Sequence, residues 1–259
     1  MKLLKKKLLF SLLIDQPGQE FEYHDYHYLY YRTSEFNPGS ARDAVNELVT
    51  EAAIDKLTRN LPAGKAGRRA FFRLTSAGRE ILLKNLHPEA RQGQWDRRWR
   101  IVIVNKIGVA LRPFQRELDR LGYRRLSRGV YLSAANVSVQ TREILMKNHW
   151  LNQAAVIESR GLVGSDDQIL ARNLWQLEKL GEEYDQFIIL AQRLLVSGRR
   201  NLVLLQQAKF GFKAVFDAYF KLVCLDPGLP KPLLPPNWRG EDAKSLFFRL
   251  VDLAKTAKI

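Results

Sequence analysis

The sequence predicts an α+β protein of three consecutive modules, residues 1–90, 91–162 and 163–259. Three observations carry this reading. Trp95 to Ser133 runs strand, helix, strand, strand, with the β-branched stretch Trp99–Asn105 first. Before it, a patterned helix is followed by two strands with a basic loop between them. After Gly164, apolar residues keep helical spacing over most of the tail.

The chain opens MKLLKKKLLFSLLI. This has the basic residues and short apolar run of a signal peptide, but it lacks a small-residue cleavage site and meets Asp15 at once, so an amphipathic first helix is expected. Pro17 and Gly18 mark a turn. Tyr23, Tyr26, Tyr28, Tyr30 and Tyr31 then fall within nine residues. Clustered rings can stack on unpaired bases, but rings also dominate small cores, and packing beside a short second helix is the preferred reading. His24 and His27 lie one helical turn apart beside Asp25. No second pair with ligand spacing exists elsewhere in the chain, and tight sites need three or four protein ligands, so no metal is expected.

Ser40, with Asp43 three residues on, makes a helix-start signature. Ala41, Ala44, Val45, Leu48, Val49 and Ala52 keep helical spacing, which leaves Arg42, Asp43, Asn46 and Glu47 facing outward. An ordinary solvated face would look the same. The next stretch of chain favours nucleic acid: Ile54–Leu61 and Ala70–Leu74 read as strands, and seven basic residues with no acidic one lie between Lys56 and Arg79. A basic hairpin directly after such a helix is the order of a winged helix-turn-helix. On that reading Arg42, Asp43, Asn46 and Glu47 read base edges in the major groove. Ser40, Lys65, Arg68, Arg69 and Arg73 hold the backbone. Thr75 caps a closing helix, Ser76–Leu86, and Glu89–Gln94 is a short linker.

In the middle module, Phe114, Leu118 and Leu121 recur at i, i+4 and i+7, while Arg112, Arg116 and Arg120 line another face. Gly122 stops that helix. Tyr123–Leu126 and Gly129–Ser133 are strands. Val137–Asn148 as a helix and Ala154–Glu158 as a strand complete a ferredoxin-like βαββαβ unit. Ser165, Asp166 and Asp167 open a long helix broken at Gly198, and a second helix over about Asn201–Leu225 should fold back on it as an antiparallel hairpin. Five of the ten prolines lie between Pro227 and Pro236. That stretch is extended, and either a proline-binding module reads it or it straps across its own domain. Glu241–Leu253 is a last amphipathic helix.

Lys and Arg number 42 against 27 Asp and Glu, a formal charge of +15, which suggests a polyanionic partner. Residues 1–90 carry 14 basic and 11 acidic groups, residues 91–160 carry 14 and 5, and residues 161–259 carry 14 and 11. The excess sits in the middle module, so Arg112, Arg116 and Arg120 are candidates for additional phosphate contacts, with a solvated arginine face as the plain alternative. Cys224 is the only cysteine, which rules out an intrachain disulfide and a thiolate zinc site and points to a reducing cytoplasm. No apolar run approaches the roughly 20 residues that cross a bilayer, so no membrane partner is expected. AGKAG at Ala63–Gly67 lacks the spacing of a phosphate-binding loop. His24, His27, His87 and His149 sit in no nucleophile motif. No enzyme and no cofactor are expected.

The order of modules resembles the PaaX-family transcriptional regulators, the group named for the phenylacetate-catabolism repressor. The resemblance rests on ARDAVNEL at Ala41–Leu48, FFRLTSAGREIL at Phe71–Leu82, WDRRWRIVIV with LGYRRLSRGVYLS, LWQLEKLGEEYDQF at Leu174–Phe187, and DPGLPKPLLPPNWRGEDAKSLFFRL. It implies a homodimeric repressor that binds double-stranded DNA, and two subunits placing their Ala41–Thr50 helices in successive major grooves would read an inverted-repeat operator. It also implies release by a small-molecule effector, an aryl-coenzyme A thioester for the best-known members. The middle module would then serve dimerisation and relay. Arg42 matches an arginine the family places on its recognition helix, whereas Glu47 stands where a second arginine is usual. The effector pocket is not marked by any motif.

Two other classes compete. The middle module also resembles the small CRISPR-associated ferredoxin-like endonuclease, whose first strand ends in a metal-holding Asp. Asn105 occupies that place, and an amide is a weaker ligand than a carboxylate. A protein-interaction adaptor with a vestigial winged helix is the third reading, and the +15 charge argues against it.

Overall fold

A computed structural model describes residues 1–14, 23–60, 67–86, 95–104, 111–162, 164–200 and 205–256. The chain forms two units, Met1–Leu86 with Phe187–Lys221 and Asp242–Ile259, and His87–Gln186 with Leu222–Glu241. The helical tail therefore contributes to both, which differs from a third module of its own. No described helix is long and apolar enough to cross a membrane.

In the first unit, α1 (Leu3–Ile14) is followed by β1 (His24–Asp25), α2 (Tyr26–Arg32), α3 (Pro38–Thr50), β2 (Ile54–Asn60), β3 (Arg68–Leu74) and α4 (Ser76–Leu86). The three strands pair antiparallel in the order β1-β3-β2. The expectation of an amphipathic first helix is corrected. Lys7, Leu8, Leu9, Phe10, Ser11 and Leu12 are all buried, more than a full turn of consecutive residues. A run buried on every side belongs to a core helix, while Lys5 and Lys6 before it are half-buried. Its neighbours include α2, α3 and α4, and aromatic rings from α9 (Leu205–Leu225) and α10 (Gly240–Thr256) surround Phe10. Its ring centroid lies 5.6 Å from that of Phe216, 5.3 Å from Phe220 and 6.3 Å from Phe247.

Lys7 is the charged group inside this core, 3% exposed. Its ammonium pairs with Asp217 at 2.7 Å and with the carboxylate of Glu35. It also sits 5.9 Å from the Phe216 ring centroid and 6.0 Å from that of Phe220. Burying a charge is tolerable only with such partners. Nearby, the buried Arg32 guanidinium stacks over Phe212, Phe216 and Tyr28.

Helix α3 begins earlier than its Ser40 signature suggests. Asn37 is the cap, accepting from the backbone N–H of Gly39 at 2.8 Å and of Ser40 at 3.4 Å, with Pro38 in the first turn. Ala41, Ala44, Val45 and Leu48 are its buried face, as read from their spacing. The tyrosines pack. Tyr26 meets Phe72 edge-on at 4.5 Å and stacks on Tyr30 at 5.4 Å. Strand β3 starts at Arg68, before the Ala70 read from sequence, with Ile54↔Leu74 through Asn60↔Arg68 in register. The Pro62–Ala66 part of the loop, Lys65 included, lies outside the described residues. Thr75 Oγ1 donates to the Ala52 carbonyl and accepts from Gly78 N–H, which caps α4 as expected.

The second unit runs β4 (Trp99–Val104), α5 (Leu111–Arg120), β5 (Arg124–Ser127), β6 (Val130–Ser133), α6 (Ser138–Lys147) and β7 (Ala154–Ser159). Its antiparallel sheet has the order β5-β6-β4-β7. Both faces are covered, as the alternation along β4 requires. Val102 packs with Phe114, Leu118, Tyr123, Tyr131 and Leu145 beneath α5 and α6. Trp99 and Leu132 pack on the other side with Ala171, Trp175, Leu229 and Leu233. Gly122 and Gly129 take φ of +81° and +77°, turn conformations that side chains resist.

Two features of the tail differ from expectation. Asp166 caps α7 (Asp167–Leu174) through Gln168 and Ile169 N–H, and the helix stops there. Gln176, at φ +52°, separates it from α8 (Leu177–Arg200), whose bounds run past Gly198. In the first unit, α8 and α9 meet at Gly211 and Leu194 and again at Tyr219 and Phe187, an antiparallel pairing as read. The proline-rich stretch straps its own unit: Leu229 and Leu233 are buried beside Trp99, and Gln168 Nε2 donates to the Pro232 carbonyl at 2.9 Å. Cys224 is half-buried.

Arg100 is buried in β4, and its guanidinium grips the Asp96 carboxylate through two bonds and donates to Asn136 at 2.8 Å. Hydrogen bonds hold two carboxyls below their usual range: Asp96 by Arg100, and Glu158 by Ser138 and Arg98. A depressed carboxyl contributes stability above its unfolded pKa and loses it as pH falls. Thermal midpoints should therefore drop as pH falls from about 5 to about 3. Arg100→Gln should start lower at neutral pH and decline less steeply over that window. A second test is Gly78→Ala. The added Cβ would stand 2.0 Å from the Ala53 carbonyl oxygen, so chemical denaturation should show a loss of about 1–3 kcal/mol, typical of overpacking.

Candidate nucleic-acid interface

Four apolar anchors fix the rotation of α3, so its other face is set in advance. Arg42, Asp43, Asn46 and Glu47 are all exposed on that face, one stripe at i, i+1, i+4 and i+5. Ser40, in the first turn, is exposed too. Arg42 is steadied from α2, donating from Nε to Tyr30 Oη at 3.4 Å. Asp43, Asn46, Glu47, Thr50 and Glu51 border an open groove of about 430 Å³.

Glu47 is less free than its spacing implies. Lys5 of α1 pairs with it at 2.8 Å and with Glu51 at 2.6 Å. The Lys5 hydrogen bond holds the Glu47 carboxyl below the usual glutamate range. Sequence separation hid this partner, since α1 reaches α3 only in the folded unit.

The basic residues of the hairpin divide into two sets. Arg69 pairs with Asp25 on β1. Arg73 donates to Asp55 through Nε at 3.2 Å and Nη2 at 2.7 Å, and its guanidinium lies 4.8 Å from the Tyr23 ring centroid. These two stitch the sheet together. Arg68 is exposed and has no acidic partner among the described residues. Arg59, absent from the set read from sequence, is also exposed and directly opposite Arg69. The basic composition of Lys56–Arg79 was the one signal for it.

In the second unit, Arg112, Arg116 and Arg120 are exposed on α5, away from buried Phe114 and Leu118. Arg120 pairs with Glu117 at 2.7 Å. Asn105 lies outside the described residues. No cluster of three or more His, Cys, Asp or Glu side chains among the described residues could hold a metal ion. His24 stacks on Tyr28 at 4.4 Å while His27 is exposed.

Fold and surface together define a basic α+β protein that presents one polar helix face beside a basic antiparallel hairpin. Residues 175–258 match the PaaX-like protein C-terminal domain, which bears out the PaaX resemblance over the last part of the chain. The solved structure of the uncharacterized protein Rv0674 from Mycobacterium tuberculosis is similar, with a TM-score of 0.51 and 19% identity over 99% of this chain and 98% of that one. That likeness is one of fold. No curated protein matches this chain.

Removing Lys5 should release Glu47. In a Lys5→Met variant the Glu47 carboxyl is expected to titrate higher, towards the ordinary glutamate range near 4.3, in a pH series of side-chain carboxyl NMR shifts.

Proposed function

We propose that the protein is a sequence-specific DNA-binding transcriptional regulator of the PaaX type. The observation that supports this reading is the element order α1, β1, α2, α3, β2, β3 with sheet order β1-β3-β2, an order that suits a winged helix-turn-helix. In this reading α3 is the recognition helix and β2 with β3 the wing. Arg42 and Asn46 carry the side chains suited to guanine and adenine edges. Glu47, neutralised by Lys5, tolerates the approach to the groove, and Asp43 accepts from an exposed cytosine amine. Ser40, Arg68 and Lys65 hold phosphates, joined by Arg59. Arg69 and Arg73 position the wing through their pairs with Asp25 and Asp55 and contribute secondary phosphate contacts.

The second unit, with β-α-β-β-α-β order and strands β5-β6-β4-β7, is assigned the ferredoxin-like arrangement and the role of pairing two subunits. A homodimer would set two α3 helices in successive major grooves of an inverted repeat, with half-sites about 10 or 20 base pairs apart. Repression, with release by a small-molecule effector, is assigned on the strength of the PaaX-like C-terminal domain. The protein is assigned no catalytic role.

Selection of genomic fragments on the purified protein, with footprinting of the top site, should return one inverted-repeat motif. Absence of any enriched motif would argue for the adaptor reading. Arg42→Ala or Asn46→Ala should cost about 1–3 kcal/mol of discrimination between the selected site and its single-base variants, with little change on random duplex. Arg68→Ala or Lys65→Ala should weaken both alike and reduce the slope of log affinity against log salt by about one each.

A further inference from the structure

The second unit carries an arginine surface that the regulator reading does not use. Between Leu111 and Arg128 every basic residue is arginine: Arg112, Arg116, Arg120, Arg124, Arg125 and Arg128. Two carboxylates lie among them. Glu117 takes Arg120 at 2.7 Å, and Asp119 faces Arg124 at 3.8 Å. Arg112, Arg116, Arg125 and Arg128 remain, all exposed and with no carboxylate partner among the described residues.

Arg112 and Arg116 lie on α5, Arg125 on the adjoining edge strand β5 and Arg128 in the turn after it. Phe114 and Leu118 are buried beneath α5, which fixes Arg112 and Arg116 on its outer face. Strand β5 is the sheet's edge, and Arg125 stands opposite Tyr131 in β6. Tyr131 packs with Phe114 of α5, so Arg125 projects to the α5 side of the sheet. The register shift between Arg125 and Ser127 bends the strand just before Arg128. Charged residues do protect an edge strand from unwanted pairing. That requirement is met by lysine as well as by arginine and does not extend to a helix face. Arginine's planar fork, by contrast, matches phosphate oxygens two at a time.

We propose that the α5–β5 arginine surface is a second contact for the phosphate backbone of duplex DNA. The inference rests on the regulator reading and adds a sequence-independent contribution to it. Four uncompensated guanidinium groups neutralise up to four phosphates, and each releases counterions. Such a contact would raise affinity for any sequence. It would leave base preference to Arg42 and Asn46.

The test uses the full-length protein with Arg112, Arg116, Arg125 and Arg128 changed together to Gln, and separately together to Lys. Affinity for a duplex of the selected site, for random duplex and for a single-stranded RNA of equal length is measured by anisotropy across a salt series. The Gln variant should lose up to about 3.6 units of salt slope on both duplexes, since each phosphate contact supplies roughly 0.9. Its preference for the selected site over random duplex should stay unchanged. The Lys variant should keep most of the slope. An unaltered slope in the Gln variant, alongside lost discrimination in Arg42→Ala, overturns the second contact and leaves the regulator intact. Wild-type protein that binds no duplex overturns both. Tighter binding of RNA than of either duplex, abolished in the Gln variant, assigns the surface to RNA and overturns the duplex proposal.

Discussion

The buried ammonium of Lys7 is the constraint on which the first unit depends. It is the first residue of the fully buried run of α1, and its two carboxylate partners come from distant parts of the chain. Glu35 lies in the turn between α2 and α3, and Asp217 lies on α9. Lys213 closes the set, 2.5 Å from Asp217 and 3.6 Å from Glu35. One cation in the core therefore ties the turn before α3 to a helix far along the chain. Arg32 does the same from the end of α2, laid on Phe212 and Phe216. Since a cation stripped of water needs its partners in place, these contacts specify one arrangement of α2, α3 and α9. The position of the exposed α3 face is set by that arrangement.

Arginine serves two purposes in this molecule, and the carboxylates tell them apart. Arg69, Arg73 and Arg100 are engaged by acids on adjacent strands or at the sheet end, and they join backbone segments. Arg68, Arg112, Arg116, Arg125 and Arg128 have no such acid among the described residues. Pairing lowers the potential that a group can offer a polyanion, whereas an unpaired guanidinium retains it. The useful charge of the surface is thus smaller than the net +15 and more localised.

The strap shows a similar economy of partners. Prolines deprive Pro227–Pro236 of half its backbone donors, so it forms no strand or α-helix, and the expected extended course is interrupted only by a 3-10 turn at Lys231–Leu233. It is held instead by what it can offer. Leu229 and Leu233 enter the layer beside Trp99 and Trp175, and the Pro232 carbonyl accepts from Gln168. Tyr184 bonds Asp226 at 2.5 Å at the start of the strap, and its ring meets Trp238 near the end. The face of β4 turned away from α5 and α6 is covered by this means.

Local spacing alone determined much of the protein. The buried face of α3, the Thr75 cap, the β-branched strand β4 and the helix stop at Gly122 were all legible because each depends on residues within a few positions of one another. Elements fixed by distant partners were not. The two-residue strand β1 exists because β3 offers it an edge. Helix α1 is buried on every side from Lys7 to Leu12 because α9 and α10 cover the side that would otherwise be wet. Arg69, Arg73 and Glu47 read as free surface groups in the sequence, yet each has an ionic partner 18 or more residues away. The sequence by itself determined which residue types stand on which face of each element. Only the tertiary structure decided which of those charges are already neutralised, because an ion pair depends on distance in space and not along the chain.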